Sequence, residues 1–215
     1  MRIALISALC VAAGAAASAS AQVVNGDFQT GVLSPSTTSY TQDATMLPPA
    51  TWNLVAFDTI HPSWVDFADH TTGDSEEGWY MIVNGTDGGL GPAWAQLVEL
   101  LPNTDYVLSA WFASLFPVSP ASLQFRVIGD GTEDISATFQ APTDTAVWGE
   151  RTFSFNSGGN AFVSLQIWDV NDQFTGNDYA IDDISLAVVP TPGSAALMGV
   201  GGLLLARRRR ATVGR

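Results

Sequence analysis

Five side chains on three short segments have the chemistry of a sugar-binding platform. Trp111, Gln124, Arg126, Gln166 and Trp168 each take the outward position in a run of alternating apolar and polar residues. A flat indole covers the apolar C–H face of a pyranose ring, while amides and a guanidinium bind its hydroxyl groups in fixed directions. If the three segments share one sheet, these side chains predict a carbohydrate-binding face.

The competing interpretation is that the tryptophans complete the hydrophobic core. The chain contains 7 tryptophans, and in a small domain most of these large side chains are mainly buried. We assign the remaining five to the core or to packing under loops: Trp52, Trp64, Trp79, Trp94 and Trp148.

The elements that must position these side chains predict an all-β fold. Short alternating runs are bounded by Gly, Pro, Asn and Asp, and helical periodicity is hard to find. The predicted strands are 22–25, 51–57, 78–83, 93–100, 106–115, 122–128, 135–139, 148–156, 161–170 and 179–188. This spacing predicts an antiparallel β-sandwich, or jelly roll, over residues 22–188. Residues 156–160 predict a hairpin, and residues 33–49 predict a long loop or a weakly paired edge.

The charge of this body excludes some partners. All 21 acidic residues lie in it, against two basic ones, Arg126 and Arg151, so its formal charge is −19 (2 − 21). Such a surface repels nucleic acid and anionic lipid. Two interpretations of the acidity remain, namely solubility in a salty exterior and carboxylates grouped to hold cations.

Two motifs stand at opposite ends of the body, Asn25-Gly26-Asp27-Phe28-Gln29-Thr30-Gly31 and Tyr179-Ala180-Ile181-Asp182-Asp183-Ile184-Ser185-Leu186. Between them lie Asp69-His70-Thr71-Thr72-Gly73, Met81-Ile82-Val83-Asn84-Gly85 and residues 101–111. This ordered set resembles the galactose-binding-like jelly rolls, including the family 4 and family 9 carbohydrate-binding modules.

The first and last strands of a jelly roll tend to lie side by side, which brings Asp27 and Gln29 near Asp182 and Asp183. Adjacent carboxylates repel one another, so they are stabilised by a bound cation or by solvent. Ca²⁺ prefers carboxylate and carbonyl oxygens. The resemblance implies a structural calcium at this place. Gln29 stands where relatives often carry Glu, which predicts a weaker ligand. The alternative is that Asp182 or Asp183 simply faces water.

An enzymatic role has weaker support. Glycosidic bond hydrolysis needs two carboxyl groups across the substrate, and an acidic cluster could supply them: Asp66, Asp69, His70, Asp74, Glu76 and Glu77. Acidic loops are common in a body this acidic, however, and His61 and His70 are the only histidines. A Gly-x-Ser-x-Gly nucleophile elbow is also lacking from the sequence. We therefore expect no enzymatic activity.

The N-terminus has the pattern of a secretory signal peptide. A short positive start, an apolar stretch and the small-residue end Ala19-Ser20-Ala21 predict cleavage before Gln22. Cys10 lies within the apolar stretch, so the mature chain is expected to have no cysteine and no disulfide.

The C-terminal segment, residues 189–215, has the pattern of a targeting signal. Pro190-Thr191-Pro192 is followed by the apolar residues 194–206 and the block Arg207-Arg208-Arg209-Arg210. As a helix the apolar part spans roughly 20 Å, less than a hydrocarbon core of about 30 Å. The arginines would stay on the cytoplasmic side. The order resembles the PEP-CTERM sorting signals that exosortase-type enzymes process, although Thr191 stands where the usual pattern has Glu. The alternative is a short tail anchor.

Taken together, the sequence predicts an exported protein at the cell surface or in the extracellular matrix, which contacts the membrane only through its C-terminal segment. Its expected ligand is a polysaccharide, with exosortase as a processing partner and calcium as a structural ion. The alternatives are a structural matrix protein without a sugar ligand and, third, a glycoside-active enzyme.

Overall fold

The computed structural model describes residues 23–56, 60–73, 78–86, 90–171, 173 and 175–190. Its strands are β1 (Thr41–Gln42), β2 (Thr51–Val55), β3 (Tyr80–Asn84), β4 (Pro92–Glu99), β5 (Asp105–Ser114), β6 (Ser122–Ile128), β7 (Glu133–Ile135), β8 (Phe139–Gln140), β9 (Gly149–Asn156), β10 (Phe162–Asp169) and β11 (Tyr179–Val188). The predicted all-β fold is confirmed for these residues.

Two sheets form a β-sandwich. One has six strands in the order β1-β2-β3-β11-β5-β9, and the other has five, β4-β10-β6-β7 with β8 also paired to β6. All pairings are antiparallel except the short β1–β2 pair at the edge of the six-stranded sheet. The weakly paired edge predicted within residues 33–49 is thus β1.

The main core lies between the sheets, because the alternation of the strands turns one apolar side of each inward. Leu123, Phe125 and Val127 of β6 meet Leu108 and Phe112 of β5 and the inward side chains of the other strands. A second, smaller core lies on the outer side of the six-stranded sheet. There Phe67 and Met46 pack on Tyr80, Ile82 and Leu115. One sheet therefore has a partly covered outer face.

Three sequence predictions about the strands are wrong. The predicted strand 135–139 is instead two short strands, because β7 ends at Ile135 and β8 begins at Phe139, and the N–H of Phe125 donates to the side chain of Ser136 at 3.0 Å. Residues 23–25 form no strand, since Asn25 and Phe28 have positive φ angles of 55° and 54° and the chain turns there. Instead the buried side chain of Gln96 binds both the N–H and the carbonyl of Val24, at 2.8 and 2.9 Å. Gln22 lies outside the described residues.

The segment 156–160 is the third wrong prediction, because it is not a hairpin. It carries the chain from β9 in the six-stranded sheet to β10 in the five-stranded sheet. Ser157 is buried, donates to the carbonyl of Leu101 at 2.7 Å and accepts from the N–H of Thr104 at 2.9 Å. These bonds attach the connection to the neighbouring loop, so it crosses the end of the sandwich.

Most of the two predicted targeting segments lies outside the described residues: residues 1–21, the apolar segment 194–206, and Thr191, Pro192, Arg207, Arg208, Arg209 and Arg210. Pro190 is the last described residue and is exposed. Within the described part of the chain, no helix has the length and apolar character needed to cross a bilayer.

Candidate functional site

Four of the five predicted sugar-binding residues share the outer face of the five-stranded sheet. In the register of β6 and β10, Arg126 lies opposite Gln166, and Gln124 lies opposite Trp168. Their neighbours along each strand are buried and the four themselves are half-buried, which matches the alternation read from the sequence. We call this set, Gln124, Arg126, Gln166 and Trp168, the sheet-face cluster.

Polar contacts hold the sheet-face cluster in one arrangement. The guanidinium carbon of Arg126 lies 4.1 Å from the centre of the Trp168 ring, a cation–π distance. The Trp168 indole N–H donates to Gln166 Oε1 at 2.7 Å, and Arg126 donates to Gln124 Oε1 at 3.2 Å. Because each side chain is fixed by another, the hydrogen-bonding groups are oriented before a ligand arrives, which lowers the entropic cost of binding.

The same face exposes apolar surface beside the cluster. Leu97 is 70% exposed and lies across from Ser164, while Phe162 of β10 is 56% exposed. Ile135 lies opposite Arg126 and is 47% exposed. These three side chains lie in different cross-strand rows, so they add separate apolar contacts beside the cluster and form no continuous row.

Leu97, Phe162 and Ile135 are absent from the set predicted from the sequence. Phe162 could have been found, because it precedes Trp168 by six residues and so points to the same side of β10. The sequence does not indicate that Leu97 is exposed, since an apolar residue in an apolar strand is expected to lie in the core.

The prediction that Trp111 shares this face is wrong. Its strand, β5, belongs to the six-stranded sheet, so Trp111 lies on the opposite side of the sandwich. There its indole stacks on the ring of His70, with centroids 3.7 Å apart and planes inclined by 18°. One ring face of Trp111 is thus occupied by the protein.

A shallow cleft of about 440 Å³ lies beside Trp111. Its polar lining includes Asp27, Glu150 and Asp183 and the hydroxyls of Ser109 and Ser185, which lie 2.8 Å apart. The structure therefore brings Asp27 and Asp183 to one cleft, as expected from the adjacency of the two ends of the body. Ile184 and Gly26 join those ends through a main-chain hydrogen bond of 2.9 Å.

The other two predicted calcium ligands, Asp182 and Gln29, are engaged by protein groups, as is Asp183, which contacts His70 and Thr71. Asp182 is fully buried and accepts the N–H groups of His70 at 2.8 Å and Thr71 at 3.2 Å. Burial, with a smaller contribution from the Asp183 charge, raises the pKa of Asp182 to about 8 although these N–H groups oppose the shift. The Gln29 amide donates to Asp69 Oδ2 at 3.0 Å.

These contacts indicate a structural role for the Asp182-Asp183 pair. The strand has a bulge here, between Asp182 and Ser185, and Asp183 adopts a positive φ of 46°. The bulge directs Asp183 toward His70, whose Nδ1 lies 2.5 Å from Asp183 Oδ2. Both aspartates thus hold the loop of residues 69–72 on the outer side of the six-stranded sheet.

Of the residues considered for catalysis or metal binding, the described Asp69 and His70 are held by other protein groups. Asp69 is buried and accepts from Thr72 Oγ1 at 2.6 Å, and His70 is held between Trp111 and Asp183. Among the residues that the structure describes, no three His, Cys, Asp or Glu side chains are grouped as a metal site. Asp74, Glu76 and Glu77 lie outside the described residues.

Comparison with known proteins supports the fold. No protein-family profile matches this sequence, and no curated protein matches it. A Stig cyclase from Fischerella sp. TAU, solved in complex with an indole compound, is similar in structure at 16% identity and a TM-score of 0.51, covering 80% of this chain and 98% of that one.

Two further solved structures are of other kinds. The enzymatically active domain of tailspike protein 4 from bacteriophage CBA120 matches at 13% identity and a TM-score of 0.50, covering 78% of this chain but 21% of that one. The CBM22-1 xylan-binding domain from Paenibacillus barcinonensis Xyn10C matches at 12% identity and a TM-score of 0.43, covering 73% and 94%. The cyclase and the tailspike domain show a shared fold with this chain, and identities this low transfer no activity.

Proposed function

We propose that this protein binds polysaccharide without modifying it, on the outer face of the five-stranded sheet. The observation that carries the proposal is the fixed arrangement of the sheet-face cluster, with Arg126 4.1 Å from the Trp168 ring. The carbohydrate-binding modules among the structural neighbours are in keeping with this role.

The chemistry of the face suits a glycan. Trp168, Phe162 and Leu97 offer apolar surface for the C–H faces of successive sugar rings, and Gln124, Gln166 and Arg126 offer donors and acceptors for hydroxyl groups. The face is open along the sheet, so it would contact several sugars of a chain. Since the body carries a formal charge of −19 (2 − 21), we expect a neutral polysaccharide, because an anionic one would be repelled.

Affinity electrophoresis on a series of neutral polysaccharides, followed by calorimetry on the best one, tests this proposal. We expect Trp168→Ala to weaken binding about 5- to 150-fold, since the stacking of a planar ring on an aromatic side chain, as known for nucleic-acid bases, contributes on the order of 1–3 kcal/mol. The matched control is Trp111→Ala, which removes the same side chain from the opposite sheet and should leave the affinity within about twofold.

Equal losses in both variants would place binding elsewhere or indicate a general loss of folding, which circular dichroism distinguishes. A protein that stays folded and binds no polysaccharide would favour the structural matrix role instead.

We further propose that residues 1–21 export the chain and that residues 189–215 sort it to the cell surface through an exosortase-type enzyme. The motifs around Ala21 and Pro190 support this proposal. The intact mass of the protein recovered from the cell surface tests it. A mature chain beginning at Gln22 and lacking the arginine block is expected, whereas an intact Arg207–Arg210 block would indicate a plain tail anchor.

A structural calcium remains part of the proposal, with Asp27 and Asp183 as the carboxylates that share a cleft. Asp182, Asp183 and Gln29 fit this ion less well than Asp27, because Asp182 accepts main-chain N–H groups, Asp183 contacts His70 and Thr71, and Gln29 donates to Asp69. If calcium binds, removing it with a chelator should lower the melting temperature by several degrees, and Asp27→Asn should abolish that difference. An unchanged melting temperature would contradict the site.

A further inference from the structure

A second cavity lies at one end of the sandwich and shares no lining residue with the sheet-face cluster. It forms where β3 ends and β11 begins, with loops that precede β2 and follow β5 completing its wall. Its volume is about 220 Å³. The side chains that matter for its chemistry are Leu47, His61, Trp64, Asn84, Phe116 and Asp178.

The aromatic part of this end pocket is held in place by its neighbours. The Trp64 indole N–H donates to Asp178 Oδ2 at 3.1 Å, and its ring lies 4.7 Å from that of His61. A main-chain bond of 3.1 Å from Trp64 to His61 closes the turn that carries both rings. Trp64 also packs against the second core, so its orientation is set by the fold.

The polar part is equally fixed. Asn84 donates its amide N–H to the carbonyl of Met46 at 2.7 Å, which leaves the amide oxygen as an acceptor. The main chain of Asp178 is anchored by the N–H of Leu115 at 3.0 Å. Burial raises the pKa of the Asp178 carboxyl, although the N–H groups of Trp64 and Gly85 and the nearby His61 oppose the shift. The half-buried carboxyl group has acceptor sites that a ligand hydroxyl group could also use.

The shape and the chemistry of the pocket select a class of ligand. A cavity of about 220 Å³ is below the roughly 300–1,000 Å³ that holds drug-sized ligands, and aromatic walls with a few convergent polar groups are the usual form of a small-molecule site. Several directional hydrogen-bonding groups beside an indole fit a hydroxylated ring. The acidic surroundings disfavour an anion.

We infer that this end pocket binds one terminal sugar ring, whereas the sheet face contacts a chain along its length. The inference goes beyond the function proposed above and does not depend on it, since the two sites share no residue. A protein with both sites could hold the end of one glycan and the middle of another.

Saturation-transfer NMR and calorimetry with methyl glycosides of glucose, galactose, mannose, xylose and N-acetylglucosamine test the inference on the full-length protein. We expect at least one of them to bind. Thr175→Trp, at an exposed lining position, should fill the pocket and weaken binding at least tenfold, and Asp178→Asn should weaken it several-fold. The matched control Thr143→Trp, which lines a different surface cleft, should have no effect.

Trp168→Ala separates the two sites. It should weaken binding of the polysaccharide and leave binding of the methyl glycoside unchanged. The inference is overturned if no methyl glycoside binds, if Thr175→Trp binds as well as the unmodified protein, or if Trp168→Ala abolishes glycoside binding. The last result would assign the sugar to the sheet face, and none of these results depends on whether the polysaccharide binds.

Discussion

Arg126 is one of only two basic side chains between residues 22 and 188, and it lies on the proposed binding face. It is kept there by three different partners: the Trp168 ring at 4.1 Å, Gln124 at 3.2 Å and Glu133 at 3.5 Å. Glu133 offsets the positive charge locally. The face is therefore polar and directional without being strongly charged, which suits hydroxyl groups better than carboxylates.

Single residues also fix the loop on the other side of the sandwich. Gly78 lies directly against the Asp69 carboxyl group, and a Cβ at this position would be only 1.9 Å from Asp69 Cγ. Asp69 is buried and bonded to Thr72 and Gln29, so it has little freedom to move. The requirement for glycine at this position is steric, since a Cβ has no room. It is not conformational, because the φ angle of Gly78 lies outside the left-handed region.

Gly78→Ala should therefore destabilise the fold by about 1–3 kcal/mol, the usual cost of overpacking. Urea unfolding followed by tryptophan fluorescence measures the change. Gly159→Ala is the matched control, since nothing lies within 4 Å of its added Cβ, and it should change the unfolding free energy by less than about 0.5 kcal/mol. Similar losses in both variants would contradict the close contact.

At the scale of elements, the connection between β9 and β10 shows which contacts direct β10 into the five-stranded sheet. Ser157 Oγ bonds the loop after β4 at both Leu101 and Thr104, and Ser157 N–H donates to the carbonyl of Thr104 at 2.9 Å. The chain is thereby turned across the end of the sandwich instead of folding back beside β9.

Ser157→Ala removes two of these part-buried bonds, which should cost about 1–3 kcal/mol together, since a typical hydrogen bond contributes about 0.5–1.5 kcal/mol. The unfolding free energy in urea and the hydrogen exchange of Thr104 measure the effect, and exchange at Thr104 should become faster. Ser154→Ala, at an exposed position within β9, is the control. A Ser157→Ala protein as stable as that control would show that the crossover is fixed by other contacts.

The sequence predicts strands well where alternation is strong. β6 and β11 have the predicted bounds, 122–128 and 179–188, because each combines a clear apolar side with turn residues at both ends. Alternation also places Arg126 and Trp168 on an outer face correctly. It cannot assign a strand to a sheet, since the inward side chains of both sheets are equally apolar.

For that reason Trp111 is predicted on the wrong sheet. Its contact with His70 depends on a loop of residues 69–72 that is distant in sequence and has no periodic pattern. The end pocket is missed for the same reason, since Trp64, Asn84 and Asp178 come from three separate segments. Contacts between segments that are distant in sequence are determined by tertiary packing, and the local sequence pattern does not predict them.

At the scale of the whole molecule, buried carboxyl groups make stability depend on pH. Asp169 is buried, and its burial raises its pKa from 3.8 to about 7, with the Asp178 charge adding to the shift and the N–H of Asn171 opposing it. A carboxyl group whose pKa is higher in the folded state favours folding while it is protonated. Its contribution is full below pH of about 4 and is lost as the pH rises toward 7.

Asp169→Asn should remove this dependence, because an amide keeps the acceptor for Asn171 and does not ionise. We expect the melting temperature of the variant, relative to the unmodified protein, to rise by at least about 3 °C between pH 5 and pH 8, which corresponds to roughly 1 kcal/mol for a domain of this size. Asp130→Asn changes the net charge equally at an exposed position, and its melting temperature relative to the unmodified protein should stay nearly constant over this range. If the two variants show the same pH dependence, the effect comes from the overall charge of the body and not from the buried carboxyl group.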